Sequence, residues 1–423
     1  MHPLMDSLVS KLTGEARAAD EVASQRLHRR RNWRTALMII VVLGVFAAGL
    51  RYAVRTVPWA GPAGADLLRR LIGRDAVTRL EELSAGAEDR LHQARRGQQA
   101  PRSIAEVERR PRPTPSATAA APSPVLRPRF TPRDIGPMRA RVAAAGDGVW
   151  RAVPDPNRPS AAALLFTTML HPDVRRPWSE VFVVAIDLPN VGVHAVPGSV
   201  EPKATTGEGR AAERPGLVPA HHRRELLAVF NGGFKTEHGQ HGMFVNGVTL
   251  VPARKGLCTV VGFEDGSLRI GTWEKLAEEV AQPRAPVRFY RQAAPCMAEG
   301  GKLNPALRDE ETRNWGATLE GGTVIRRSAI GLDAKRSVLF VAITNDTTAT
   351  ALAGAMLHAG ASDVAQLDVN WSYPKFVMFP REPDGAPYAQ SLFDGFVIGR
   401  DDFVRKRFSR DFFYVVQPGR AAP

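Results

Sequence analysis

The chain from residue 141 to its C-terminus is a series of short apolar runs separated by turn residues. The run 181–188, VFVVAIDL, has the β-branched composition and the length of a buried strand, and 191–197 alternates as its hairpin partner would. Asn246-Gly247 between two apolar runs predicts another β-hairpin. The other strand-like runs are 225–230, 243–250, the pair 258–263 and 267–272, 328–332 and 337–343.

One helix stands out among these strands. Residues 348–358 place small and apolar side chains at helical spacing and end before Gly360, and 364–368 then has the pattern of a strand. A strand–helix–strand unit belongs to the α/β class. We therefore predict a single mixed, strand-rich α+β domain over 141–423.

A long apolar stretch lies near the N-terminus. Thr35–Leu50 has no charge in sixteen residues and follows the basic run 26–34. Sixteen helical residues span about 24 Å, and the arginines at both ends extend this reach across a ~30 Å hydrocarbon core. The stretch predicts a transmembrane signal anchor over 35–54.

The basic run comes before the anchor, so we expect 1–34 to be a cytoplasmic tail and the rest of the chain to be periplasmic or extracellular. A signal peptide cleaved near the small residues 47–49 is the alternative. A buried core helix is disfavoured because the stretch is apolar on all faces and is flanked by arginines.

Two further segments separate the anchor from the domain. Residues 55–100 carry leucines at helical spacing among many charges and predict a membrane-proximal helical segment. Residues 101–140 contain nine prolines and a single aromatic residue, Phe130. This composition predicts a disordered, Pro-rich linker.

The net charge of +14 comes mainly from the N-terminal third. Residues 1–140 hold 24 Lys and Arg against 13 Asp and Glu, whereas 141–423 hold 33 against 30. The sequence has no zinc-finger spacing and no RNP-type aromatic motif. We therefore expect no nucleic-acid partner.

Two cysteines in 423 residues exclude a disulfide scaffold and a multi-cysteine metal site. An external compartment would permit a bridge between Cys258 and Cys296. Cys258 lies in an apolar strand, which favours two buried free thiols.

The segment 231–242, NGGFKTEHGQHG, runs from a strand directly into paired glycines. Such a turn lets backbone N–H groups approach an anion closely. The side chains that we expect to contribute are Asn231, Lys235, Glu237 and His238. His238 and His241 form an H-x-x-H pair without a carboxylate at ligand spacing, so no metal site is predicted.

Two other polar clusters lie at strand ends. Arg326 and Arg327 precede a buried strand, where a guanidinium can bind phosphate or carboxylate. The segment 368–374, DVNWSYP, follows the strand after the helix, and it combines an acid, an amide, an indole and two hydroxyls suited to a sugar. Asn345-Asp346 occupies a similar position after the run 337–343.

These motifs resemble, over roughly residues 180–400, the phosphodiester glycosidase family, which includes the uncovering enzyme that removes N-acetylglucosamine from phosphodiester-capped mannose. Asn231-Gly232-Gly233-Phe234 matches the family's NGGF, and 327–331 matches its R-[ST]-A-I-G. Leu367-Asp368 matches the start of its L-D-G-G-G-S segment. The chain departs from the family at 344–346, where the family has Asp-Gly-Arg, and at 369–371, where Val-Asn-Trp replaces three glycines; Ser372 can still match the family serine.

The resemblance implies hydrolysis at an anomeric carbon that bears a phosphodiester, without a cofactor. The catalytic residues would be Asp368, which stabilises the oxocarbenium-like transition state or activates water, together with Arg327 and Asn231, which bind the phosphate. Glu237 is a weaker acid–base candidate. The implied substrate-binding residues are Gly232, Gly233, Lys235, Glu237, His238, Asp346, Asn370, Trp371, Ser372 and Tyr373.

Two alternatives remain open. The filled 369–372 segment favours a catalytically inactive, glycan-binding or envelope-organising protein that keeps the fold. An envelope scaffold that acts through its helical and Pro-rich segments is the other. In the favoured interpretation the partners are a glycan phosphodiester and, through one N-terminal helix, the membrane.

Overall fold

The computed structural model describes residues 38, 86–97, 99–108, 130–308, 312–316 and 324–417. The chain divides into two compact units, Met1–Val77 and Thr78–Pro423, and every element below belongs to the second. Of the predicted anchor over 35–54, only Met38 is among the described residues. No helix within the described part of the chain is long and apolar enough to cross a membrane.

Eighteen strands form within the described residues. They are β1 (Arg151–Val153), β2 (Leu165–Leu170), β3 (Val181–Asp187), β4 (Gly192–Val196), β5 (Leu226–Asn231), β6 (Met243–Val245), β7 (Val248–Val251), β8 (Cys258–Phe263), β9 (Leu268–Thr272), β10 (Val287–Ala293), β11 (Ala298–Glu299), β12 (Lys302–Leu303), β13 (Ile325–Leu332), β14 (Val338–Thr347), β15 (Asp363–Gln366), β16 (Phe376–Met378), β17 (Gln390–Ser391) and β18 (Phe412–Val416).

Helices are few and mostly short in the part of the chain that the structure describes. They are α1 (86–96), α2 (Ile104–Val107), α3 (Gly207–Ala211), α4 (Trp273–Ala281), α5 (Pro305–Arg308) and α6 (Ala349–His358). Single 3₁₀ turns cover Ala140–Val142, Leu188–Asn190, Ala220–His222, Thr236–His238 and Thr312–Trp315. Thr348 is the N-cap of helix α6, and its hydroxyl accepts a hydrogen bond from the Ala351 N–H. The helix is followed by Gly360, which has a positive φ of 106°.

The strands form three sheets in which neighbouring strands are antiparallel. The largest has the order β1-β2-β3-β14-β13-β15-β11-β12, and the five-stranded sheets have the orders β7-β6-β10-β8-β9 and β17-β16-β5-β18-β4. The strand–helix–strand unit predicted from the sequence is β14-α6-β15, with β13 inserted between its two strands. The mixed, strand-rich α/β class predicted from the sequence is confirmed.

The large sheet is buried on both faces. One face packs against the other two sheets in a core that includes Ile186, Phe230 and Val341. The opposite face packs against α6 in a second core that includes Val183 and Leu352. A strand buried on both sides has no polar alternation, which explains the continuous apolar run of β3.

The hairpins predicted from the sequence are confirmed at two places and wrong at a third. Asn246 and Gly247, both at positive φ, join β6 to β7, and β8 pairs with β9. The predicted hairpin of 181–188 with 191–197 does not form, because β3 and β4 belong to different sheets. The 3₁₀ turn Leu188–Asn190 between them, with proline at its start, redirects the chain from one sheet to the other.

Both ends of the predicted Pro-rich linker pack against the domain, the second through the partly buried Phe130, Ile135 and Met138. Ile104 and Val107 are buried in the core, and the Asp394 N–H donates to the Val107 carbonyl at 2.9 Å. The Arg102 guanidinium forms two hydrogen bonds, of 2.8 and 2.6 Å, to the Glu180 carboxylate. Apolar residues interrupt the Pro-rich composition at this point and supply the contacts. Residues 109–129 lie outside the described residues.

The expectation of two free thiols is wrong. Cys258 and Cys296 form a disulfide with Cα atoms 4.6 Å apart. Antiparallel pairing of β8 with β10 places Cys258 opposite Ala293, so the chain just beyond β10 is close enough for a bridge. Both cysteines are also buried, so the apolar strand around Cys258 did not distinguish a buried thiol from a buried disulfide.

We expect the double replacement Cys258→Ala and Cys296→Ala to lower the free energy of unfolding by about 4 kcal/mol, because the bridge closes a 38-residue loop in the unfolded chain. Urea unfolding of the two proteins measures this difference. Thiol labelling of the denatured wild type should find no thiol before reduction and two after it. Two reactive thiols without reductant would contradict the bridge.

Candidate functional site

The candidate site lies where strand ends of two sheets meet. In the large sheet β15 is followed by Asp368, and the adjacent antiparallel strand β13 carries Arg326 and Ser328 near its start. In the neighbouring sheet β5 ends at Asn231, directly opposite Phe412 at the start of β18. Antiparallel order therefore brings Asp368, Ser328, Asn231 and the residues before β18 to the same edge.

Asp368 forms a buried ion pair with Arg410. One carboxylate oxygen accepts a hydrogen bond from the Arg410 guanidinium, and the other accepts the Asn370 N–H at 2.9 Å. Asp368 is only 4% exposed and Arg410 only 3%. Burial raises the pKa of the Asp368 carboxyl, and the facing Arg410 guanidinium counteracts part of this rise.

The Arg410 guanidinium has unused hydrogen-bonding capacity. Its Nη2 also donates to the Gly233 carbonyl at 3.2 Å, and its Cζ lies 4.2 Å from the centre of the Tyr373 ring. Its Nε and Nη1 are buried without a hydrogen-bond partner among the described residues. A buried donor without a hydrogen-bond partner costs free energy, so a buried guanidinium with two such nitrogens is suited to an anionic ligand.

Asn231 ties the two sheets together beside this pair. Its amide nitrogen donates to the Ser328 hydroxyl at 2.8 Å, and its amide oxygen accepts the Lys375 N–H at 3.2 Å. The Ser328 hydroxyl in turn donates to the Asp368 carbonyl at 2.9 Å. Asn231 therefore acts here as a positioning group for the strand end that carries Asp368.

The paired glycines are required by close packing. A Cβ on Gly232 would lie 2.1 Å from an Asp411 carboxylate oxygen, and a Cβ on Gly233 would lie 2.7 Å from the Arg291 guanidinium carbon. Asp411 and Arg291 form a second buried ion pair at 2.8 Å, and the same Asp411 oxygen accepts the Gly233 N–H at 2.9 Å. The Asp411 carbonyl also accepts the Gly232 N–H at 3.0 Å, so Asp411 occupies both glycine donors of the expected anion nest.

The two arginines at the start of β13 have separate surroundings. Arg326 donates to the Trp371 carbonyl at 2.8 Å and to the Asn345 amide oxygen at 2.6 Å. Arg327 is fully buried and donates to the carbonyls of Thr347 and Trp315 and to the Gln366 side chain. Burial lowers the pKa of the Arg327 guanidinium. These contacts hold Arg327 within the protein core, whereas Arg326 and Arg410 lie with the segment that carries Asp368.

The segment after Asp368 forms a compact turn. The Asn370 amide oxygen accepts from the N–H and the hydroxyl of Ser372, at 3.3 and 3.1 Å. The Tyr373 hydroxyl lies 3.3 Å from the Ser409 hydroxyl. The Tyr373 ring lies against the Arg410 guanidinium. Trp371 is the exposed member of the segment. The expected side chains 370–373 therefore adjoin the Asp368–Arg410 pair.

The loop after the paired glycines carries three more of the expected side chains. Lys235 is buried with its ammonium 3.6 Å from a carboxylate oxygen of the exposed Glu237, and the same oxygen lies 3.6 Å from the His238 ring. The loop is held by Glu201, which accepts the N–H of residue 236 at 3.1 Å. The charge of Glu201 also acts on Arg410, so this loop adjoins the ion pair.

Asp346, near the end of β14, faces a different element. Its carboxylate lies 3.9 Å from the His92 ring of α1. Burial raises the pKa of the Asp346 carboxyl, and the charges of His92 and Arg326 counteract part of this rise. Asp346 therefore stands between α1 and the arginine that contacts the Trp371 segment.

Among the residues that the structure describes, no group of three His, Cys, Asp or Glu side chains is arranged to hold a metal ion. His241 of the H-x-x-H pair is buried beside Arg291 and Arg254, and burial lowers its pKa to about 3. Its ring packs against Phe234 at 5.4 Å. His241 therefore contributes to the packing of the NGGF turn.

Sequence reasoning missed three charged residues of the site: Arg410, Asp411 and Arg291. The first two directly precede β18, and Arg291 lies within β10. A charged pair before the apolar run FFYVV was the available signal, since ligand-binding groups often lie at strand ends. The partners could not be found this way, because Arg410 pairs across 42 residues and Asp411 across 120.

Comparisons with known proteins give only distant similarities. A scan against protein-family models and a search of curated proteins find no match. The chain is similar in structure to the catalytic domain of zebrafish N-acetylglucosamine-1-phosphodiester alpha-N-acetylglucosaminidase auto-inhibited by its pro-peptide, with 17% identity and a TM-score of 0.40, over 64% of this chain and 88% of that chain. It is also similar to a hypothetical protein from Synechocystis, with 11% identity and a TM-score of 0.31, over 62% of this chain and 65% of that chain. The chemistry of this chain has to be inferred from its own residues.

Proposed function

We propose that this protein is a hydrolase of sugar phosphodiesters or related glycans of the cell envelope. The observation that carries the proposal is the buried Asp368–Arg410 pair, in which two guanidinium nitrogens have no partner among the described residues. The pair combines a carboxylate with a guanidinium that can still donate hydrogen bonds to an anion. Asp368 also stands at the aspartate of the family segment that the sequence resembles.

In the proposed reaction Arg410 binds the phosphate of the substrate. Its Nε or Nη1 supplies the donor; these two nitrogens lie on opposite edges of the guanidinium, so one of them contacts a phosphate oxygen while Nη2 stays on Asp368. This assigns to Arg410 the role that the sequence suggested for Arg327, whose donors already bind protein acceptors. Asn231 and Ser328 hold the backbone of Asp368 in place.

Asp368 acts as the base in this proposal. Water attacks the anomeric carbon while the bond from that carbon to the phosphate oxygen breaks, and the electron pair leaves with the phosphate. Asp368 accepts the proton of the water, so the products are a free sugar and a phosphate monoester. A carboxyl whose pKa is raised by burial is a stronger base than an exposed one.

Access to Asp368 requires movement of the segment that follows it. Asp368 is buried, the Asn370 N–H donates to its carboxylate, and the Tyr373 ring lies against its partner Arg410. We propose that this segment opens at Tyr373, whose ring lies against the Arg410 guanidinium, while Arg326 keeps Trp371 in place. If it does not open, the same burial favours the alternative of a glycan-binding protein that binds through the exposed Trp371.

The wild-type chain should release sugar from a member of a sugar-1-phosphodiester panel. Turnover in ¹⁸O-labelled water locates the bond that breaks: the label enters the sugar if the carbon–oxygen bond is cleaved, and it enters the phosphate if the phosphorus–oxygen bond is cleaved. Label in the phosphate would contradict attack at the anomeric carbon. Glycan binding without turnover, lost in Trp371→Ala, would support the binding protein instead.

We also propose that the domain faces outward from a membrane anchored by 35–54. The support is the uncharged stretch preceded by a basic run in the sequence. Protease added to spheroplasts should degrade the 141–423 domain. Full protection of the domain, with the membrane intact, would exclude the outward orientation.

A further inference from the structure

Arg326 fixes two loops against each other beside the Asp368–Arg410 pair. Its guanidinium lies between the rings of Trp371 and Phe396, at 3.8 and 4.5 Å from their centres. It donates to the Trp371 carbonyl at 2.8 Å and to the Gly395 carbonyl at 2.8 Å. These contacts hold the loop that carries Trp371 against the loop that carries Val397.

These two loops expose apolar side chains. Trp371 is 39% exposed and Val397 is 64% exposed. The amide oxygens nearby are already engaged, because that of Asn345 accepts from Arg326 and that of Asn370 accepts from Ser372. Few acceptors remain for sugar hydroxyls, so the surface is better suited to an apolar group.

A buried ammonium lies under the same loops. Lys375 is 5% exposed, and its Nζ donates to the Val397 carbonyl at 3.3 Å and faces the Phe408 ring at 5.3 Å. Within the described part of the chain it forms no ion pair. An ammonium has three donors, so two remain for a ligand. Apolar surface with a cation beneath it complements an amphiphilic anion.

We propose that Arg326, Trp371, Lys375, Phe396 and Val397, the Trp371 platform, bind the aglycone of the substrate as an apolar chain attached through a phosphate. The inference rests on the proposed function and names its substrate class: an amphiphilic sugar phosphodiester. Arg326 shapes the platform, Trp371 and Val397 contact the chain, and Lys375 contacts its anionic end.

Binding of alkyl phosphates to the full chain tests the platform without requiring turnover. Decyl phosphate, below its micelle concentration, should bind at least about tenfold more tightly than ethyl phosphate, the gain from burying roughly two methylene groups. Trp371→Ser and Val397→Ser should each reduce this ratio. Val174→Ser, at a side chain 46% exposed elsewhere, is the matched control and should keep it.

Equal binding of the two probes by wild type would overturn the proposal. An equal loss in Val174→Ser would show that the chain-length effect does not come from the platform, and would overturn it as well. Failure of the proposed function is a separate outcome. Decyl phosphate binding without cleavage of any sugar phosphodiester would contradict the proposed activity and support the binding site.

The pH dependence of decyl phosphate binding tests Lys375. Burial lowers the pKa of its ammonium to about 8, and the other charges that act on it are Asp402, Arg326 and Lys406. Affinity should therefore fall as the pH rises through about 8, where the phosphate is already fully ionised. Lys375→Arg should keep its affinity at high pH. Affinity that is unchanged in Lys375→Met would exclude the contact.

Discussion

Asp368→Asn is expected to lower kcat for a sugar-1-phosphodiester by about a thousandfold, which corresponds to roughly 4 kcal/mol of transition-state stabilisation. The amide cannot accept the proton of the attacking water and carries no charge to stabilise an oxocarbenium-like state. Initial rates of sugar release from the wild type and the variant measure the effect.

The structure adds a complication to this variant. One Asp368 oxygen accepts from Arg410 and the other from the Asn370 N–H. An asparagine has only one amide oxygen, so in either orientation its NH₂ group would face one of these two donors. Melting temperatures must therefore be compared, and rates measured where both proteins are folded. Asp363→Asn is a matched control, since Asp363 accepts the Gly300 N–H at the opposite end of β15. Full activity in folded Asp368→Asn would show that Asp368 is not the base.

The pH profile provides an independent readout of the same residue. Burial raises the pKa of Asp368, so the base becomes ionised at a higher pH than an exposed aspartate would. Activity should rise with pH, with its midpoint above the ordinary value of 3.8. A midpoint at or below that value would assign the titration to another group.

Local sequence patterns predicted the strands well where neighbouring residues determine the structure. Asn246-Gly247 identified its hairpin because positive φ at both residues is a local requirement. The β3–β4 hairpin was wrong because both runs have equally good strand composition, and only the turn at Leu188–Asn190 assigns them to separate sheets. Strand identity is thus encoded locally, whereas strand pairing depends on contacts distant in sequence.

The same distinction applies to the candidate site. Asn231 and Asp368 were expected from their positions at strand ends, and the structure connects them through Ser328. The sequence could not show which of Arg326 and Arg327 adjoins the site, because that depends on the residues that each side chain contacts in the fold. Arg410 was missed because the acid it pairs with is 42 residues away.

Arg410→Met is expected to lower the free energy of unfolding by about 3–5 kcal/mol at pH 7, because it leaves the Asp368 carboxylate buried without its cation. It should also lower kcat/KM for the phosphodiester by about a hundredfold, through the lost phosphate contact. Urea unfolding measures the first effect. Initial rates without denaturant, at a temperature where the variant is folded, measure the second.

Arg327→Met provides the comparison that identifies which arginine serves the acid. Arg327 is equally buried, but its donors bind carbonyls and Gln366, so its loss should destabilise the fold independently of Asp368. In a double-mutant cycle with Asp368→Asn, Arg410→Met should show a coupling energy of about 2 kcal/mol or more, because removing both charges leaves neither one buried alone. Arg327→Met should be additive with Asp368→Asn to within about 0.5 kcal/mol. Stronger coupling of Asp368 to Arg327 than to Arg410 would show that Arg410 is not the partner of the acid.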